Sequence, residues 1–330
     1  MMTDPLVDRA LAEARPVVFW LDQPEHPEPA PPLSADLEAD LVVVGGGFTG
    51  LWTAVTAAEA DPGRSIVVLE ADTVAFGASG RNGGFCDASL THGLENGIGH
   101  WPDEIDTLIR LGNENLNGLL DVVARHSIDC SPEPTGALDV AVAPWQTESL
   151  AKSAVVHEAH GRHVTLLDAA ATRAEVDSPT YLGGLWHHDG VVMLDPARLA
   201  WGLLRVAKAL GVRFFENTPA RSIEAAQGAE STTVRIRTDG GSVDARNAVV
   251  ATNAFRPQVR RIRRFVVPVY DHVLVTEPLT GNRLATIGWS NRQGLSDAGN
   301  QFHYYRLTPD DRILWGGWDA LYHFGNRVDP

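Results

Sequence analysis

Cysteine is almost absent: the 330 residues hold only two, Cys86 and Cys130. Two thiols cannot build a disulfide framework or a four-thiolate zinc site, and their scarcity points to a reducing compartment, expected to be the cytoplasm. Basic residues are also few. The 27 Lys and Arg face 42 Asp and Glu, a formal net charge of −15. Such a surface repels a phosphate backbone, so nucleic acid is excluded as a partner. The only basic cluster, Arg260, Arg261, Arg263 and Arg264, reads as a solvated connection. The opening MMTDPLVDRALAEARP is acidic and broken by proline, and is not expected to act as a secretory signal. No internal repeat is present.

Long uncharged runs are equally scarce. The one near membrane-spanning length is Leu41 to Ala58, 18 residues with four glycines and three threonines. Glycines at its centre fit a buried strand joined to a helix by a tight turn, and no membrane span is expected.

What is present is a fraction of 44% hydrophobic residues, normal for a globular chain, in a length that suggests two lobes. Residues 1–37 read as a short helix and a proline-rich arm, with five prolines in the nine positions from Pro24 to Pro32. Asp40–Gly45 reads as a buried strand, Leu51–Ala60 as a helix and Ser65–Glu70 as a second buried strand, together a βαβ unit. Residues 71–100 read as a long loop. Helices are expected over Glu104–His126, over about Gln146–His160, and after Asp195 and Pro196 as N-cap and first position, ending at Gly211. Strands are expected at Gly136–Ala143, Val212–Glu216, Thr232–Arg237 and Asn247–Thr252, with an Asp239-Gly-Gly hairpin turn. From Pro257 onward there are strands (FVVPVYDHVLVTEPL, FHYYRL, RILWGG) and no amphipathic helix.

Gly45-Gly46-Gly47-Phe48-Thr49-Gly50 matches G-x-G-x-x-G, with Glu70 closing the next strand twenty residues on. Gly45 permits the turn, Gly47 lets a pyrophosphate approach the backbone, and Gly50 with Ala54 allows close helix–strand packing. The helix N-terminus offers free N–H groups and positive partial charge. Glu70 would accept from both ribose hydroxyls and disfavours a 2′-phosphate, so a dinucleotide is bound and NADP is the poorest candidate. A second glycine-rich box follows, Gly77-Ala78-Ser79-Gly80-Arg81-Asn82-Gly83-Gly84. Its glycines let a backbone wrap a ligand, and Ser79, Arg81 and Asn82 suit diphosphate and ribityl oxygens. FAD needs such a second cradle and NAD does not. Arg81 stands where a G-x-S-x-G nucleophile elbow would need glycine.

VVVGGGFTGL, Glu70 and GASGRNGG together resemble the D-amino-acid-oxidase-like (DAO) family of FAD-dependent oxidoreductases, within it the γ-glutamylputrescine oxidoreductase-like branch. GVVMLDPARLAWGL, VRFFENTPARSI, VVATNAF and YYRLTPDDRILWGG extend the resemblance from about Trp20 to the C-terminus. The resemblance implies an α/β fold, a Rossmann-type FAD-binding domain interleaved with an antiparallel β-sheet substrate domain. The implied division is an arm at 1–37, an FAD-binding domain at 38–130 and 190–258, and a substrate domain at 131–189 and 259–330. By the same resemblance Gly45, Gly47, Phe48, Thr49 and Gly50 hold the pyrophosphate, with Glu70 on the ribose. Ser79, Arg81, Asn82 and Gly83 line the flavin side, the backbone of Ala220 meets adenine, and Thr252 lies nearby. The implied reaction oxidises a C–N bond of an amine or amino acid to an imine by hydride transfer to flavin N5, with oxygen or another acceptor reoxidising the flavin. The alternatives are a flavin- or NAD-dependent dehydrogenase of another small substrate, such as a hydroxy acid, and an inactive nucleotide-binding fragment. The family's flavin domain is completed by a later glycine turn and helix; the chain stops at Asn326–Pro330 without them, so a truncated form with weaker FAD retention is expected.

No motif marks a catalytic base. His303 and Tyr305, alternating with Phe302, Tyr304 and Arg306, are the catalytic candidates. His157, His160 and His163 do not form H-E-x-x-H and read as a solvated helix end, with no metal expected. His187 and His188 would face opposite sides of a strand.

Overall fold

The computed structural model describes residues 5–227, 232–255, 259, 261–317 and 322–324. Its strands along the chain begin with β1 (Leu37–Val44), β2 (Ile66–Leu69), β3 (Phe85–Asp87), β4 (Ala137–Ala141) and β5 (Val164–Asp168). Then come β6 (Gly183–His187), β7 (Val191–Met193), β8 (Arg213–Phe215), β9 (Ser222–Gln227) and β10 (Thr232–Arg237). The last five are β11 (Ser242–Val250), β12 (Val273–Val275), β13 (Gly294–Asp297), β14 (His303–Leu307) and β15 (Ile313–Gly317).

A six-stranded sheet has the order β8-β2-β1-β11-β10-β9. Strands β8, β2, β1 and β11 run parallel, β8 at the edge, and β10 and β9 extend the other side as antiparallel hairpins. Val42, Val43 and Val44 of β1 are all buried because both faces of a parallel sheet are covered. On one face, Leu51, Ala54, Val55 and Ala58 of the helix Phe48–Ala60 pack with Leu199, Leu203 and Val206 of the helix Pro196–Ala209. The opposite face packs Val42, Val44, Val67 and Leu69 against Ile236 and Val243 of the hairpin. Asp195 caps the second of these helices, its carboxylate accepting from the amide of Arg198 at 2.9 Å, and Gly211 follows its end with φ +89°. The uncharged run at 41–58 is therefore strand, turn and crossover helix, and no helix among the described residues is long and apolar enough to cross a membrane.

A seven-stranded sheet has the order β12-β15-β14-β13-β4-β6-β5. It was expected to be antiparallel and is so except where β13 runs parallel to β4. Side chains alternate across it. Leu138, Val140, Leu295, Tyr305 and Leu307 face a core with Tyr181 and Trp289, while Asp139, Ser296 and Tyr304 face the other way, into a cavity. The whole is an α/β fold with a Rossmann-type sheet and a second, largely antiparallel one.

Three local expectations fail. Residues 71–100 carry β3, which pairs with β7, and a helix at Leu94–His100. The FVVPVYDHVLVTEPL stretch yields only the three residues of β12 as strand, since Pro268 removes a ladder donor. A helix after Pro257 does exist, Gly281–Ile287, seven residues with none buried. Of the arginine run, Arg260 lies outside the described residues, and Ile262–Arg264 forms one 3-10 turn.

Candidate active site

The glycine turn sits where β1 meets the helix Phe48–Ala60. Gly45 has φ +114°, and a Cβ there would lie 2.4 Å from the carbonyl oxygen of Ala251, so both conformation and space require glycine. The helix begins at Gly47 with no side-chain cap. Its first amides look elsewhere: Phe48 N–H donates to Ser79 Oγ at 2.9 Å, and Gly46 N–H to Glu70 Oε2 at 2.6 Å. Beside this N-terminus lies a depression of about 430 Å³. Gly47, Phe48 and Thr49 form one wall, Ala78, Ser79 and Asn82 the second, and Val250, Ala251 and Asn253 the third. Backbone amides and small residues facing such a space, at the carboxyl ends of parallel strands, suit a pyrophosphate.

Glu70 stands beside this turn, directly after β2. Burial pushes its carboxyl up, against the amides of Asp72 and Gly46 that favour the charged form. The amide of Thr218 donates to the Glu70 carbonyl at 2.8 Å, which brings the turn leading to Ala220 alongside. Thr252 stands between Ala251 and Asn253, its carbonyl accepting from Phe255 N–H.

The GASGRNGG box closes the other side. Asn82 is its centre: Nδ2 donates to the carbonyls of Ala78 and Ser79, and Oδ1 accepts from Gly84 N–H. Gly83 packs so tightly that a Cβ would lie 2.6 Å from Cε2 of Tyr304. Arg81 is turned back on its own loop, Nε donating to the Phe76 carbonyl at 2.6 Å and the guanidinium 4.4 Å above the Phe76 ring. It lines neither the depression nor the cavity beyond.

Two residues that sequence reasoning missed brace this box. Trp20 of the proline-rich arm is 3% exposed, and its Nε1 donates to the Asn82 carbonyl at 2.8 Å. Arg306 on β14 is fully buried, with Nη1 donating to the carbonyls of Gly84 (3.1 Å) and Leu194 (2.8 Å), Nη2 3.7 Å from Glu133, and its guanidinium 5.8 Å from the Trp20 ring. Burial lowers its pKa to about 10, with Glu133 opposing. Arm, box, the segment leading into the helix Pro196–Ala209 and the seven-stranded sheet thus meet at one buried cation.

Asn82 also borders a larger cavity, about 680 Å³, over the open face of the seven-stranded sheet. Across that face Tyr304, Ser296 and Asp139 are direct neighbours on β14, β13 and β4. Asp139 accepts from Ser296 and pairs with His187 Nε2 at 3.0 Å. His187 meets His157 edge to face, with ring centroids 4.7 Å apart. Glu95 accepts from Ser153, and its Oε2 lies 3.7 Å from His157 Nε2. Burial raises the Asp139 carboxyl, but the hydrogen bonds and charge of His187, with Ser296, leave it below the usual range. The His157 and Ser153 contacts hold Glu95 down at about 2 despite burial. His187 goes the other way: burial lowers it, and Asp139 more than reverses that, with Asp87 and Glu95 adding.

The remaining histidines and candidates lie elsewhere. Tyr305 is in the core on the opposite face, its hydroxyl 2.8 Å from that of Tyr181 and its ring stacked on Trp315. His303 Nδ1 bonds Asp297 at 2.8 Å, and only Asp297 of that pair lines the cavity. His160 bonds the carbonyl of Val156 at its helix end, and His163 lies against His188. His157, from the same HEAHGRH stretch, is a cavity residue.

With this geometry in place, the family pattern of FAD dependent oxidoreductases (DAO) matches residues 40–330. The chain belongs to the DAO family of FAD dependent oxidoreductases. It is similar to the γ-glutamylputrescine oxidoreductase of Escherichia coli (strain K12), 34% identical over 297 residues, covering 86% of this chain and 66% of that protein. The chain therefore spans about two thirds of that relative's length. Among solved structures it is similar to glycine oxidase from Geobacillus kaustophilus (TM-score 0.67, 17% identity, 89% of this chain and 74% of that one). It is also similar to L-proline dehydrogenase from P. horikoshii (TM-score 0.64, 17% identity, 91% and 73%). FAD is the family's cofactor, and the residues present fit it: a helix start with glycine as its cap residue, a turn no side chain fills, a carboxylate at the second strand's end and a glycine box opposite.

Proposed function

We propose that the chain oxidises the C–N bond of a cationic amine to an imine, with the substrate held in the 680 Å³ cavity and FAD in the cradle beside it. One observation carries the reading: Asn82 borders both spaces, and the cavity's charges are complementary to a cation. Its lining includes Asp87, Glu95, Asp139, Asp189 and Asp297, and among the described lining residues the one Lys or Arg is Arg162. Arg162 is itself engaged by Asn113 and Asp189. Bound FAD supplies acceptance of a hydride from the carbon next to nitrogen.

The protein's own part is positioning. Gly83 and Tyr304 bring the cofactor cradle against the sheet, so the reacting end of the amine belongs there. The acid-lined wall concentrates the amine in its protonated, ammonium form. The free thiols of Cys86 and Cys130 fit a cytoplasmic setting.

The test is an assay of the FAD-loaded protein against matched amines, α-amino acids and α-hydroxy acids, read as oxygen consumption and as dye reduction. Turnover of amines above the other two classes supports the reading. Preferential turnover of hydroxy acids overturns it.

A further inference from the structure

The cavity is larger than the reacting end of an amine needs, and its far wall is built differently from its near wall. Near Gly83 and Tyr304 it is walled by glycine and aromatic rings. Two strands away, at 4.7–4.9 Å per strand, Asp139 stands roughly 10 Å from Tyr304, and β6 with His187 lies one strand further. There the sheet meets the helices Leu94–His100 and Pro144–Ala159, which bring Glu95 and His157. Asp139 and Glu95 flank the His187–His157 contact as a chain Asp139–His187–His157–Glu95.

The partners of these carboxylates are the telling feature. Asp139 is bonded to His187 and Ser296, and Glu95 to Ser153 and His157. Among the described residues neither forms an ion pair with Lys or Arg, whereas Asp189 on the same wall pairs with Arg162. Imidazoles and hydroxyls orient a carboxylate but, when neutral, leave its charge uncompensated. Glu95 keeps 51% of its side chain exposed, so the charge is available to a ligand.

Resting on the amine-oxidation reading, we propose that Glu95 and Asp139 form a distal subsite for a second ammonium group of an elongated substrate. The amine to be oxidised lies at the Gly83–Tyr304 end and the second cation roughly 10 Å away. The subsite selects substrates by length and by charge at the end that does not react.

The comparison of octamethylenediamine with octylamine, equal in chain length and differing in the second nitrogen, tests this directly. Anaerobic mixing with the FAD-loaded protein gives a dissociation constant for each from the concentration dependence of flavin bleaching. The ligand-induced rise in melting temperature gives an independent ranking. The diamine is expected to bind about tenfold more tightly or better, the size of one charge-assisted contact. In the Glu95→Gln/Asp139→Asn protein the ratio should fall to about twofold or less, with circular dichroism checking that the variant is folded. Equal affinity for both amines in the unmodified protein overturns the subsite while leaving amine oxidation standing. A ratio retained in the variant overturns the assignment to these two residues. Bleaching by neither amine, with no melting shift, removes the underlying reading and the subsite with it.

Discussion

The indole N–H of Trp20 donates to the main-chain carbonyl of Asn82 at 2.8 Å, across 62 residues of sequence. Through that bond the proline-rich arm holds the one residue, among those described, that borders both the depression at the glycine turn and the larger cavity. Trp20→Phe removes the donor and keeps an aromatic ring. At about 1 kcal/mol for a partly buried hydrogen bond, FAD should dissociate about fivefold more readily. Flavin fluorescence on dilution measures this, and an unchanged release would show that the arm does not brace the box.

Arg306 is the second brace, a fully buried cation on β14. Arg306→Met removes the guanidinium donor from the buried Gly84 and Leu194 carbonyls and leaves Glu133 with Arg292 as its remaining cation. A loss on the order of 3 kcal/mol in urea unfolding is expected. A loss below about 1 kcal/mol would contradict a structural role for the buried charge.

The glycine turn separates folding from binding. Gly45→Ala places a methyl 2.4 Å from the Ala251 carbonyl at a left-handed φ, so the protein should accumulate poorly or melt far lower. Gly47→Ala meets only the Ser79 hydroxyl, at 2.9 Å, the movable end of a side chain. Its methyl stands on the face a pyrophosphate must approach. FAD affinity should therefore fall about tenfold or more while the melting temperature without FAD changes little. Calorimetric titration and thermal melts check both; equal affinity would move the pyrophosphate elsewhere.

The Asp139–His187 pair predicts a pH signature. His187 is raised above its ordinary 6.5, so its contribution is present below that value and fades as pH rises through the folded pKa. Asp139 is lowered below 3.8, so its contribution is present above that value and fades in acid. The groups facing the pair are His157, Glu95, Asp87 and Ser296. The stability gap between wild type and His187→Gln should be wider at about pH 5.5 than at about pH 8.5 in urea unfolding. A gap independent of pH would show that the pair does not titrate as described.

How much of this was readable in advance depends on how local the signal was. The βαβ unit was legible because Val42–Val44, the glycine spacing and Glu70 lie within one short window, and each agrees with its neighbours. The helix Gly281–Ile287 was not, because in seven residues only Leu284 and Ile287 turn an apolar, half-buried face to the core, too short a pattern to read as periodic. The FVVPV stretch misled by composition, since Val267 and Val269 are exposed and Pro268 interrupts the run. The distal wall was invisible for another reason. Asp139 is a polar interruption in an apolar alternating strand, a usable hint, but its meeting with His187, His157 and Glu95 depends on pairing β4 with β6 and packing two helices on them. Trp20 and Arg306 likewise join segments far apart in the chain, by 62 residues to Asn82 and by 222 to Gly84.

The central claim is that an amine in the acid-lined cavity reduces the FAD cradled by Gly45–Gly50 and Gly77–Gly84. Anaerobic mixing of the FAD-loaded protein with a cationic alkylamine, and separately with an α-hydroxy acid of the same chain length, tests it in a single turnover independent of any electron acceptor. The account predicts loss of the visible flavin band with the amine and none with the hydroxy acid. Bleaching by the hydroxy acid with the amine inert would contradict it.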